Sequence, residues 1–141
     1  GVYINSGREI SVASTKSFTN SLIILSLIGM WFSENKYNLK QINTLRKLNI
    51  FCENIINNNE INSHISNISK FVIDNNINNM FILGTEKLYP IAKEASLKIK
   101  EISYIHAEGY SALSLKHGPF SLLDKTNITF LLIAHHLTEK I

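Results

Sequence analysis

Apolar residues fall into two rhythms along the chain, one of period two or continuous and one of three-and-four spacing. Val2-Tyr3-Ile4 is a short β-branched and aromatic run closed by Asn5-Ser6-Gly7, which predicts a strand ending in a loop. Phe18, Leu22, Leu25, Gly29 and Phe32 then recur at helical spacing, with Ile23, Ile24, Leu27, Ile28 and Trp31 between them. That pattern predicts a helix apolar nearly all round, hence buried, with Ser14 or Thr15 as its N-cap. From Tyr37 to about Ile56 the chain is amphipathic, and again from Ile61 to Ile73, with the poor helix formers Asn57-Asn58-Asn59 as the break. Asn75 to Asn79 reads as a linker. Met80-Phe81-Ile82-Leu83-Gly84 reads as a strand, and a helix is predicted from Tyr89 to about Ile102, with Pro90 suited to its first turn. Tyr104 to Pro119 shows no period and is read as irregular; Ile128 to Ala134 is a last strand.

Strands alternating with helices predict an α/β fold, a three-layer αβα sandwich around a parallel sheet. The Asn-rich linker divides it into two incomplete tandem units, residues 1–76 and 77–141. The chain opens on Gly1 directly in a strand-like segment, so a fragment or domain excerpt is expected.

Composition narrows the class. Of 141 residues, 45% are apolar and 18% charged, which suits a globular domain. The net charge of +3 comes from scattered lysines, without the basic stripe a nucleic-acid partner would need. The apolar run from Leu22 to Phe32 is too short to span a bilayer. A single cysteine, Cys52, excludes a disulfide framework and points to a reducing, cytoplasmic setting; it reads as a small buried or half-buried core residue.

Three constellations carry candidate chemistry. Val12-Ala13-Ser14-Thr15 precedes a helix, where unpaired N–H groups and hydroxyls suit a phosphate or sugar hydroxyl, although plain capping explains the same residues. Lys98 and Glu101 stand three apart on one predicted helix and share a face. A carboxylate beside an ammonium can move a proton between adjacent carbons of a carbonyl sugar. A solvated salt bridge, with Glu94 also within reach of Lys98, is the bland alternative. Tyr104-Ile105-His106-Ala107-Glu108 and Leu115-Lys116-His117-Gly118-Pro119 gather titratable groups on a loop, His117 among them. A metal held by His106, Glu108 and His117 would match no standard ligand spacing. His135-His136 reads as exposed surface at a strand end.

Taken together, Tyr89 to Ala92, Glu94 to Glu108 and Leu115 to Pro119 resemble the start of the second sugar isomerase domain of the glucosamine-6-phosphate synthase family, the glutamine–fructose-6-phosphate aminotransferases. Glu9-Ile10, Val12 to Lys16 and Phe18-Thr19 resemble the end of the first such domain. The resemblance implies tandem SIS-type α/β sandwiches that convert fructose 6-phosphate to glucosamine 6-phosphate with ammonia from a separate N-terminal glutaminase domain. By resemblance, Glu101 is the base shuttling a proton between C1 and C2, and Lys98 assists proton transfer at a sugar hydroxyl. His117 opens the sugar ring and is supplied by the neighbouring subunit of a homodimer. Val12 and Ser14 line the sugar. No metal or cofactor is implied. The family's phosphate-gripping loop is expected before Gly1 and its Schiff-base lysine after Ile141, so the chain alone is expected to be inactive.

Two departures stand out. Gly84-Thr85-Glu86 replaces a Gly-Arg-Gly turn, and Leu113-Ser114 replaces Gly-Glu. Losing the second glycine predicts a changed loop. A non-catalytic sugar-phosphate-binding regulatory module, a glutamine-independent phosphosugar isomerase and a degenerate remnant are the rival readings. Retention of Lys98, Glu101 and His117 together argues against the regulator, which needs no proton shuttle.

Overall fold

A computed structural model of the chain describes residues 1–33 and 39–134. The chain forms two compact units, Gly1–Ile68 and Ser69–Ile141.

In the first unit, residues 1–10 have no regular structure. The strand predicted at Val2–Ile4 does not form, since a strand needs a neighbour to take its hydrogen bonds and none of the described residues of this unit is in one. Helix α1 spans Thr15–Phe32, close to prediction, but none of its residues is buried. Trp31 and Phe32 are 76% and 81% exposed and lie against each other, ring centroids 5.6 Å apart. The predicted burial fails because an all-round apolar helix needs a sheet or several helices to cover it. The short α2 (Leu39–Arg46) and α3 (Leu48–Ile56) contribute no buried residue either. Those two replace the single helix expected to Ile56. At Lys47 the N–H bonds back to the Thr44 carbonyl, a tightened turn that ends α2 while the apolar rhythm runs on. Tyr37 lies outside the described residues. Helix α4, Asn59–Asp74, begins where the Asn-rich break predicts. Asn58 caps it, its Oδ1 accepting from the N–H groups of Glu60 and Ile61 at 2.9 and 3.0 Å.

The second unit is built on a parallel three-stranded sheet in the order β2-β1-β3. Strand β1 (Asn79–Gly84) is central and pairs in register with β2 (His106–Ser111) and β3 (Asn127–Leu132), Ile82 standing between Gly109 and Phe130. Every residue of β1 after Asn79 is buried, on both faces, the mark of a central parallel strand. Burying its Met, Phe, Ile and Leu side chains contributes roughly 1.5–3 kcal/mol each. Met80, Ala107, Ile77 and Val72 of α4 form the core, with Ile99, Ile105, Ile128 and Phe130 packed against it. This is the α/β organisation, with its parallel sheet, that the sequence predicts. Strand β2, however, lies inside the stretch expected to be irregular.

Helix α5 (Tyr89–Ser103), preceded by a 3-10 turn at Glu86–Leu88, crosses from β1 to β2. The next connection returns past β1 to β3. Phe81 and Leu83, which alternate along β1 with Met80 and Ile82, are buried as well, 5% and 6% exposed.

Small residues set how closely α5 approaches. Ala92 is fully buried, and a Cβ added to Gly109 of β2 would lie 2.6 Å from the Lys93 Cα. Pro90 sits in the first turn of α5, where its missing N–H costs nothing. Tyr104 closes the helix in the left-handed conformation at φ 60°, its N–H bonded to the Lys100 carbonyl. After β1 the altered Gly-Thr-Glu turn keeps a glycine-like path: Glu86 has φ 46°. Thr85 ties the ends of β1 and β3 together, its N–H and Oγ1 both bonding to the Leu132 carbonyl at 3.1 and 3.2 Å.

The close seat of α5 predicts that Gly109→Ala lowers stability by about 1–3 kcal/mol, because the new methyl meets helix backbone rather than a movable side chain. Urea denaturation measures this, and an unchanged midpoint would show that α5 can lift away freely.

Candidate active site

The Lys98–Glu101 pair depends on the register of α5. Ala92, Ser96 and Ile99 turn toward the sheet, so Glu94, Lys98 and Glu101 fall on a flanking stripe. The buried Ser96 hydroxyl donates to the Lys93 carbonyl at 2.7 Å, which satisfies it inside the helix. The Lys98 Nζ lies 2.7 Å from Glu101 Oε2 and 3.5 Å from Glu94 Oε1. Lys98 and Glu101 are 17% and 24% exposed at the side chain, so the pair is partly shielded yet reachable. Its hydrogen bond to Glu101 raises the Lys98 pKa above the ordinary lysine value, with the nearby charges of Glu101 and Glu94 acting in the same sense and partial burial opposing them. Lys98 is therefore a firmly protonated donor at neutral pH. Two of its three N–H groups face carboxylates, and the third can reach a ligand oxygen.

Val12 and Ser14 belong to the first unit. Val12 is exposed on the turn and Ser14 half-buried. Ser14 occupies the N-cap position of α1 but does not cap it. Its backbone is left-handed, φ 46°, and its Oγ turns back to the Val12 carbonyl at 3.3 Å. Thr15 is the first helical residue, with its hydroxyl on no N-terminal amide. The expected cap is supplied instead by Glu9, whose Oε1 accepts from the Ser17 N–H and the Ser17 Oγ, both at 2.8 Å. A carboxylate at a helix N-terminus also meets the positive end of the dipole. Nothing in local spacing singles out Glu9, eight residues from the amide it holds.

On β2, alternate residues align. His106 Nε2 is 3.2 Å from Glu108 Oε1, and the Tyr110 hydroxyl donates to Glu108 Oε2 at 2.6 Å. That bond to a carboxylate raises the Tyr110 pKa. Among the described residues no three His, Cys, Asp or Glu side chains are grouped to hold a metal. His117 ends a 3-10 turn at Leu115–His117, exposed, without a hydrogen bond or ion pair to Lys98 or Glu101 among the described residues. Cys52 is half-buried. His135 and His136 lie outside the described residues. No described helix is long and apolar enough to cross a membrane.

A SIS domain signature matches residues 75–139, which contain this sheet, α5 and the Lys98–Glu101 pair. Across most of its length the chain is also similar to larger proteins. It is 39% identical over 127 residues to a glutamine–fructose-6-phosphate aminotransferase (isomerizing) of Bacteroides thetaiotaomicron, covering 88% of this chain and 20% of that protein. To the protein so named in Buchnera aphidicola it is 41% identical over 146 residues, covering 99% of this chain and 23% of the relative. The C-terminal domain of glucosamine-fructose-6-phosphate aminotransferase from Francisella tularensis superposes with a TM-score of 0.76 at 33% identity, over 96% of this chain and 39% of that one. The parallel sheet with α5 across it is thus a SIS-type α/β fold. The chain is thus similar to part of the glutamine–fructose-6-phosphate aminotransferases, and spans about a fifth of the length of the curated relatives it matches.

The raised Lys98 pKa gives a signed expectation. Its ion pair contributes to stability fully below the ordinary lysine value of about 10.4 and loses that contribution as pH rises through the higher folded value. The stability difference between wild type and Lys98→Met should stay level from neutral pH to about 10.4 and shrink above it. Urea midpoints across pH read this directly; a difference that widens in alkali would contradict the pairing.

Proposed function

We propose that this chain is part of the isomerase half of an enzyme converting fructose 6-phosphate and glutamine to glucosamine 6-phosphate and glutamate. Residues 1–76 are the end of a first sugar isomerase domain and 77–141 the start of a second. The observation that carries the reading is the partly shielded Lys98–Glu101 pair on α5, within the SIS-matched region. Glu101, as the carboxylate, takes the proton from C1 of the aminated open-chain sugar and returns it to C2. Lys98, protonated, donates to the sugar oxygen whose charge changes as the double bond moves. Glu94 keeps the ammonium from swinging away from that task.

His117 assists ring opening. Its exposure on a turn ending at Gly118 supports its being offered to a neighbouring subunit's sugar, as in a homodimer. Val12 and Ser14 contact the sugar. The glutaminase domain lies elsewhere in the same parent protein, in the cytoplasm, and no cofactor is needed. The isolated 141 residues are inactive because they hold only part of the site.

The decisive experiment is Glu101→Gln in the full-length protein. General-base loss should lower kcat by about 10²–10⁴ while KM for fructose 6-phosphate changes little. A regulatory sugar-phosphate sensor would show no turnover to lose. A glutamine-independent isomerase would convert its phosphosugar without glutamine, a result that sinks the aminotransferase assignment.

A further inference from the structure

Glu9 does more than start the loop before α1. Its Oε1 holds two donors of Ser17, and the Ser17 Oγ is in turn 3.2 Å from the Ser6 Oγ. One residue earlier, the Lys16 ammonium donates to the Arg8 carbonyl at 2.9 Å. These cross-ties join residues 6–9 to the first turn of α1 and close the intervening loop at its base. Inside the loop the bonds are short-range: the Ala13 N–H reaches the Ser11 Oγ at 3.2 Å and the Ser14 Oγ reaches the Val12 carbonyl at 3.3 Å. Ala13 is buried while Val12 is exposed beside it. Ser14 stands at φ 46°, a conformation costing a non-glycine residue roughly 1–2 kcal/mol unless its surroundings hold it.

We infer that Glu9 is a positioning residue for the sugar-binding turn: it fixes Val12 and Ser14 by anchoring the loop's base, and its charge occupies the anion position at the start of α1. The inference rests on Val12 and Ser14 contacting the sugar, as proposed above. Two consequences follow from the geometry. The first is that the Ser17 amide at the start of α1 already meets a carboxylate, whose charge disfavours a second anion there, so Ser14 is left to meet a neutral hydroxyl of the sugar rather than its phosphate. The second is that loss of Glu9 frees the loop, and the sugar must then pay to reorder it on binding.

The test is made in the full-length enzyme. Glu9→Ala should raise KM for fructose 6-phosphate about tenfold, the scale of a lost charge-assisted hydrogen bond, with kcat within about threefold of wild type. Glu9→Gln keeps a carbonyl oxygen that can accept both Ser17 donors, and should restore KM to within about threefold. Glutamine hydrolysis by the separate glutaminase domain reports on folding and should be the same in all three proteins. An unchanged KM in Glu9→Ala overturns the inference, as does a Glu9→Gln protein as impaired as Glu9→Ala. If Glu9→Ala loses glutamine hydrolysis as well, Ser17→Ala replaces it, removing one of the two donors. A KM raised twofold or more then supports the role and an unchanged KM overturns it. A wild-type enzyme that makes no glucosamine 6-phosphate sinks the functional reading itself, which separates the two failures.

Discussion

The close seat of α5 on the sheet is the constraint on which the second unit depends. Ala92 and Gly109 meet where no further atom fits, and this fixes both the height and the rotation of the helix. Rotation decides where the charged residues of the helix point. With Ala92, Ser96 and Ile99 committed to the sheet, the stripe bearing Glu94, Lys98 and Glu101 has one direction open to it. A larger residue at either contact would tilt or lift the helix and move three charges with it. The charged stripe is thus held by packing that contains no charge at all.

The electrostatics of the stripe divide the labour between its residues. A lone lysine half out of water would lose part of its charge preference to desolvation. Two carboxylates within 3.5 Å reverse that and keep Lys98 a cation. The arrangement suits an oxygen that gains negative charge, with a neighbouring carboxylate to carry the proton. The α1 turn uses charge differently. There a carboxylate from outside the helix holds the Ser17 N–H and hydroxyl at the helix start.

The loop after β1 shows how a sequence departure is absorbed. Glu86 stands where the family pattern has a glycine, yet its backbone takes the left-handed path a glycine would take. Neighbouring bonds hold it there: the Leu88 N–H reaches the Thr85 carbonyl at 2.8 Å, and Thr85 is fastened to Leu132. The turn is therefore made by a non-glycine residue in the left-handed region, with the strain carried locally.

Periodicity made α1, α4, β1, α5 and β3 legible, because each buries or presents residues at its own spacing, and the Asn57-Asn58-Asn59 break marked where α4 begins, although not that Asn58 caps it. The helix positions of Lys98 and Glu101 were likewise readable, since residues three apart on a helix must share a face. Strand β2 was not: His106-Ala107-Glu108-Gly109-Tyr110-Ser111 has small residues where apolar ones are expected, because α5 lies too close for anything larger. The strand at Val2–Ile4 and the burial of α1 were inferred from local apolarity, which states what a segment prefers to cover but not whether a cover is present. Only tertiary structure could pair Glu9 with Ser17 or set Thr85 against Leu132. Such contacts are decided by where the chain returns in space, and a spacing rule along the sequence carries no record of that.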